Sequence, residues 1–226
     1  MKVHLINNYK DKFKDYLQSA DTIDNAFYFE IIENWQKNWN IEALDLLSTY
    51  DKSLKSVYSA RLWGGSHNSA KTILLQLIET DKEFIRIAFK DLFSDHRDLG
   101  LRLDRFSYHC QQIFKILHSK NKKLTHHFHN DRGILCLYLA LEYPEKYALW
   151  NYPAFSVMMN KIESNTIPTQ SEVDRYYKSC NGICKLISKD EELLLALQKH
   201  IPKVDITKPN MMIMSLFMEF VATQND

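Results

Sequence analysis

Three histidines and a carboxylate crowd into six residues at His126, His127, His129 and Asp131, and with His109 upstream they supply the imidazole and carboxylate ligands that suit zinc or iron. Their spacing argues against a bound metal. Sites built on one element use i, i+3 or i, i+4 pairs, whereas loop neighbours at i, i+1 and i+3 diverge. A solvated histidine cluster is therefore expected, and a metal-dependent hydrolase using it is the outlying reading.

Gly65 to Thr72 reads GSHNSAKT, close to the phosphate loop G-x-x-x-x-G-K-[ST], with Ala70 where the second glycine belongs. That glycine lets backbone amides turn inward around phosphates, and the loop should follow a hydrophobic strand, which Ser56 to Trp63 does not resemble. No nucleotide site is expected. The chain also lacks a G-x-S-x-G elbow, a glycine-rich dinucleotide turn and a carboxylate pair set as acid and base. Neither catalysis nor a cofactor is expected of it. Cys110, Cys136, Cys180 and Cys184 are too sparse for a disulfide framework; buried free thiols are expected, although Cys180 and Cys184 lie one helical turn apart.

Binding chemistry is better supplied. Arg97, Arg102, Arg105 and Arg132 could capture phosphate or carboxylate through planar guanidinium groups, with Tyr108 and His109 as stacking candidates. Asp95, Asp98 and Asp104 are close enough to turn the same arginines into ion pairs, the plainer expectation. The whole chain has 29 Lys and Arg against 28 Asp and Glu, a net charge of +1, which excludes a broadly basic binder and leaves only a local patch. Such a patch runs from Gln111 to Arg132: Lys115, Lys120, Lys122, Lys123 and Arg132 oppose Asp131 alone. His118, His126, His127 and His129 lie in it, so it should become more positive as pH falls toward 6. The candidate nucleic-acid contacts are Lys115, Lys120, Lys122, Lys123, His126, His127, His129 and Arg132, with Arg102 and Arg105. Trp150, Asn151, Tyr152 and Phe155 form an aromatic-polar cluster able to hold a base or peptide, and more often found as core.

The elements that would position these groups read as helices. Apolar spacing predicts helices over residues 7–19, 23–37, 66–79 and 81–93, then a long one marked by Leu99, Leu103, Phe106, Cys110, Ile113 and Leu117. A strongly apolar helix follows from Ile134 to Leu141, with Asn130 or Asp131 accepting from its first amides and Pro144 stopping it. Later helices are expected over 154–163, 171–187, 190–200 and 210–222. Thr80 with Glu83, Thr169 with Glu172 and Ser188 with Glu191 read as capping boxes. Tyr147 to Tyr152 is the one short extended candidate. With 45% hydrophobic residues, five glycines and five prolines, a compact multi-helix, all-α domain spanning 1–226 is expected, with a soft lobe boundary at 165–169. No signal peptide or apolar run of ~20 residues appears, so a cytoplasmic protein without membrane contact is expected.

LLQLIETDKEFIRIAFKDLF, DLGLRLDRF and the stretch HHFHNDRGILCLYLALEYPEKYALWNYPAF carry a resemblance. Through Arg102, Phe106, His129, Arg132, Tyr138, Leu139, Ala140, Tyr143, Pro144, Lys146 and Tyr147, the region from Ala70 to Phe155 resembles the N-terminal domain of McrB-like AAA proteins of modification-dependent restriction systems. The resemblance implies a DNA-sensing domain in defence, partnered by an AAA motor module and a nuclease subunit, with the AAA module absent from this chain. An assembly or protein-interaction module of the same system is the alternative.

Overall fold

The computed structural model describes residues 2–63, 69–202, 205 and 209–224. Among these are twelve helices and no strand, so the chain is all-α. The chain divides into two compact units, one of residues 1–30 and 143–226, the other of residues 31–142. The soft boundary expected at 165–169 falls inside the first unit. No helix among the described residues is long and apolar enough to cross a membrane.

The first unit is organised around its last helix, α12 (Met212–Thr223), whose residues Met212 to Met218 and Val221 are buried. A helix apolar on all sides must be covered on all sides. It is packed by α1 (Val3–Ser19), α9 (Tyr152–Lys161) and α10 (Val173–Ile187), while α11 (Glu191–Gln198) lies on α1. Lys10 and Lys14 of α1 reach Asp190 at 3.2 Å and Glu192 at 2.9 Å. Tyr147 to Tyr152, expected as extended, forms no strand because side chains satisfy its backbone. Ser215 Oγ accepts from Leu149 N at 2.9 Å, and the hydroxyls of Tyr176 and Tyr177 donate to the carbonyls of Leu149 at 2.8 Å and Ala148 at 3.3 Å. Of the Trp150 to Phe155 cluster, Phe155 is core, while Trp150, Asn151 and Tyr152 are half-buried. Trp150 and Phe155 each pack tilted against the Tyr176 ring at 4.5 Å, and Asn151 caps α9 by accepting from Ala154 N.

The division falls within α2 (Phe27–Asn38). The second unit continues through α3 (Leu46–Ser53), α4 (Ser59–Trp63), α5 (Ala70–Thr80), α6 (Lys82–Phe93), α7 (Leu99–Lys120) and α8 (Arg132–Glu142). Leu135 to Leu141 of α8 are buried without interruption, and the helix ends two residues before Pro144. The rings of Trp35, Trp39, Tyr50, Phe89, Phe106 and Tyr138 interlock around it at centroid separations of 4.5 to 6.4 Å. Trp35 Nε1 donates to Glu142 Oε2 at 2.9 Å, closing the cluster with a satisfied polar group.

Two of the expected capping residues are replaced by neighbours. Asp81, not Thr80, caps α6 by accepting from Phe84 N at 2.9 Å, while the Thr80 hydroxyl turns back to Gln76 O. Asp190, not Ser188, caps α11, and Ser188 closes α10 instead. Carboxylates are at least as good caps as hydroxyls and add charge complementary to the helix dipole, so the adjacent Asp wins in both places. The third box is half made: Glu172 accepts from Thr169 N at 2.8 Å, but α10 starts at Val173.

Candidate nucleic-acid interface

The loop from Asn121 to Asp131 joins α7 to α8 and carries most of the candidate contacts. Phe128 adopts a positive φ of 64°, a left-handed conformation costing a side-chain-bearing residue about 1 kcal/mol. The reversal brings the rings on either side of it into parallel. His127 and His129 stack with centroids 6.1 Å apart and 8° between planes, and His129 lies against Tyr138 at 6.0 Å and 5°.

The hydrogen bonds fix which nitrogen carries each proton. His129 N donates to His127 Nδ1 at 3.1 Å, so that nitrogen is bare and His127 Nε2–H donates to Gln111 Oε1 at 3.0 Å. His129 Nδ1–H donates to the His127 carbonyl, leaving Nε2 to accept from the Tyr138 hydroxyl at 3.1 Å. Tyr50 then donates to Tyr138 across 2.7 Å.

These two histidines are therefore not a solvated cluster. His127 is 4% exposed and His129 0%. Burial holds His127 down to about 4, assisted by His126, and holds His129 down to about 3, against the opposing pull of its bond to the His127 carbonyl. Both remain neutral as pH falls to 6, which corrects the expectation that they would add charge to the patch. They are also withdrawn from any nucleic-acid contact. His126 stays exposed, its Nδ1 accepting from Phe128 N at 2.9 Å. His109 sits apart with its ring edge on Phe84 and both ring nitrogens buried without a hydrogen-bond partner among the described residues; burial lowers its pKa. Among the described residues no three His, Cys, Asp or Glu side chains converge as a metal would require.

The arginines prove to be structural. Arg102 is 3% exposed and donates to the carbonyls of Leu92 at 3.1 Å and Ser94 at 2.9 Å, where α6 ends, and to Asp95 at 3.4 Å. Arg105 and Arg97 both bind Asp91, an acid the sequence reading did not consider. Arg102 is thus removed from the contact set, and Arg105 meets it already paired. Arg132 opens α8, half-buried, beside Asp131, whose Oδ1 accepts from Gly133 N at 2.6 Å. Gly65 to Asn68 of the phosphate-loop-like stretch lie outside the described residues. Its remaining members are committed elsewhere, Ser69 capping α5 and Lys71 pairing with Asp51 at 2.7 Å.

The lysines remain. Lys115 and Lys120 on the last turns of α7, and Lys122 and Lys123 in the loop, are all exposed, and none makes an ion pair with any described residue. Elsewhere in this unit Lys71, Lys82 and Lys90 each sit beside a carboxylate, while Lys37, Lys52 and Lys55 are exposed and, like the four above, make no ion pair with a described residue. Beside the loop a cavity of about 520 Å³ is lined by the rings of Trp63 and Phe128, by His126 and by the polar side chains of Asn130 and Asp131. All four cysteines are free and buried.

No protein-family model, curated protein or solved structure matches this chain.

Proposed function

We propose that this chain is a non-catalytic nucleic-acid-sensing domain that serves a McrB-like restriction motor in defence, and that it meets DNA through the lysine-rich end of α7 and the loop after it. One observation supports the reading: Lys115, Lys120, Lys122 and Lys123, within nine residues of sequence at the end of α7 and in the loop after it, are all exposed and none is tied up in an ion pair with a described residue. Such lysines contact the phosphate backbone and release its condensed counterions, which gives affinity without sequence reading. Recognition of a modification then falls to the adjacent cavity, where Trp63 and Phe128 offer ring faces and Asn130 and Asp131 offer groups for a base edge. A cytoplasmic location and a partner motor with its nuclease belong to the same reading.

Fluorescence anisotropy with modified and unmodified duplexes over a series of salt concentrations tests it. Binding that weakens steeply with salt supports the reading, and absence of binding to either duplex at low salt rejects it.

A second reading rests on a different observation. Leu101, Tyr108 and Ile116 are exposed on one side of α7, at spacings of seven and eight residues that keep them aligned. That stripe suits a protein partner, and association through it would be nearly independent of salt.

A further inference from the structure

The first unit contains a cavity of about 440 Å³ between α1, α9, α12 and the residues before α2. Its lining includes Phe13 and Tyr16 from α1, Asn25, Asn151 at the start of α9, and Glu219 and Phe220 from α12. No lysine, arginine or histidine lines it, whereas Asp24 and Glu219 both do.

Glu219 is half-buried and held in place by neutral donors. Asn25 Nδ2 donates to Oε2, and Asn151 Nδ2 donates to Oε1 across 3.4 Å. It forms no ion pair with any described residue. Lys161, whose ammonium donates to the Gln224 carbonyl, is not among the lining residues. Two amides orient the carboxylate and use one lone-pair site on each oxygen, so its charge and half of its accepting capacity remain. Beside it the Phe220 ring lies 5.2 Å from Tyr16 and 5.1 Å from Phe13, with Tyr16 on the exposed side. A fixed, uncompensated carboxylate next to aromatic faces is the environment that attracts an organic cation with an apolar body.

We infer that this cavity binds a small arylalkyl ammonium compound, its protonated amine on Glu219 and its ring against Tyr16 and Phe220. The site is independent of the lysine patch and goes beyond the proposed DNA role.

Isothermal titration of the full chain with 2-phenylethylammonium, and with 2-phenylethanol as its neutral counterpart, tests the inference. The amine should bind saturably with Kd on the order of 1 mM or tighter, and the alcohol at least about tenfold more weakly. Glu219→Gln keeps an acceptor for one of the two asparagines and removes the charge, and should weaken the amine about tenfold. Tyr16→Leu keeps apolar bulk and removes the ring, and should weaken the amine about threefold, in line with the loss of one aromatic pair. Equal binding of alcohol and amine, undiminished binding by Glu219→Gln, or no saturation by about 10 mM overturns the inference. If Glu219→Gln lowers the thermal midpoint, the comparison of amine and alcohol on the parent chain, together with Tyr16→Leu, still decides.

Discussion

The hydroxyl of Tyr138 stands 3.1 Å from Nε2 of His129, and because Nδ1–H of that imidazole is already given to the His127 carbonyl, the phenol must be the donor. The direction of every bond in the buried chain follows from that one constraint. Tyr50 donates to Tyr138, Tyr138 to His129, and His129 to the backbone of its own loop, so α3, α8 and the loop before α8 are tied by a single polar thread inside an aromatic core.

The two tyrosines are consequently unequal. Tyr138→Phe strands the Tyr50 hydroxyl and His129 Nε2 together, and should cost about 2 to 4 kcal/mol, since each buried polar group left unpaired costs about 1 to 3. Tyr50→Phe removes only the terminal donor and leaves the Tyr138 bond to His129 intact, so about 1 kcal/mol is expected. Urea unfolding of the two variants reads the difference. Equal losses would show that the thread does not run in the stated direction.

The same burial gives the protein a pH dependence. His127 and His129 protonate near 6.5 in the unfolded chain but only near 4 and 3 when folded. Between those limits the unfolded state holds more protons, so stability is full above about 6.5 and falls as pH drops toward about 4, by up to about 1.4 kcal/mol per pH unit for each histidine. Glu83, Glu163, Glu172 and Asp190 have lowered pKa values, so what they contribute is present above the ordinary carboxylate range and lost only below it. The interval from pH 6.5 to 5 therefore belongs to the imidazoles. Unfolding free energy should drop by about 2 to 4 kcal/mol from pH 7 to 5, and His129→Gln should reduce that slope by roughly half. A flat profile in the parent protein would refute the burial argument.

Arg102 and Arg105 lie one turn apart on α7, yet their variants should behave differently. Arg102→Ala leaves the buried carbonyls of Leu92 and Ser94 without their donor and should cost about 2 to 4 kcal/mol. Arg105→Ala breaks a partly exposed pair with Asp91, which also holds Arg97, and should cost at most about 1 kcal/mol. Thermal midpoints of the two variants check the order, and a larger shift for Arg105→Ala would reverse the assignment.

Much of this fold is written in local periodicity, and much of the site is not. The row Leu99, Leu103, Phe106, Cys110 and Ile113 places α7 within a residue of its start, because every member faces the core. The short helices α3 and α4 escape notice, since eight and five residues give too little period to register. The burial of the histidines is not legible in the sequence because their partners are distant in it: Gln111 is 16 residues before His127, Tyr138 is nine after His129, and Tyr50 is 88 before Tyr138. Loop position suggested solvent, and only tertiary packing withdrew the rings. The clasp of Asn25 and Asn151 on Glu219 joins residues 194 and 68 apart, beyond any spacing rule. The exposed lysines are legible because a local charge imbalance survives folding when its members enter no ion pair.

Those lysines give the sharpest test of the proposed role. Lys120, Lys122 and Lys123 contribute no described ion pair and little burial, so replacing all three by Ala should leave the thermal midpoint nearly unchanged, within about 0.5 kcal/mol per site. If each contacts one phosphate, the slope of log affinity against log salt should become shallower by about 2.7 in the triple variant, with equal weakening for all sequences. A second variant carrying arginine at the same three positions keeps the charge and should keep most of the affinity, because backbone contacts need positive charge more than a particular geometry. Tyr108→Ala, on the apolar stripe of the same helix, should leave the salt slope untouched. If instead the triple Ala variant binds with the parent slope, the patch does not touch phosphate. The stripe of Leu101, Tyr108 and Ile116 would then be the surface that accounts for the domain, with a protein as its partner.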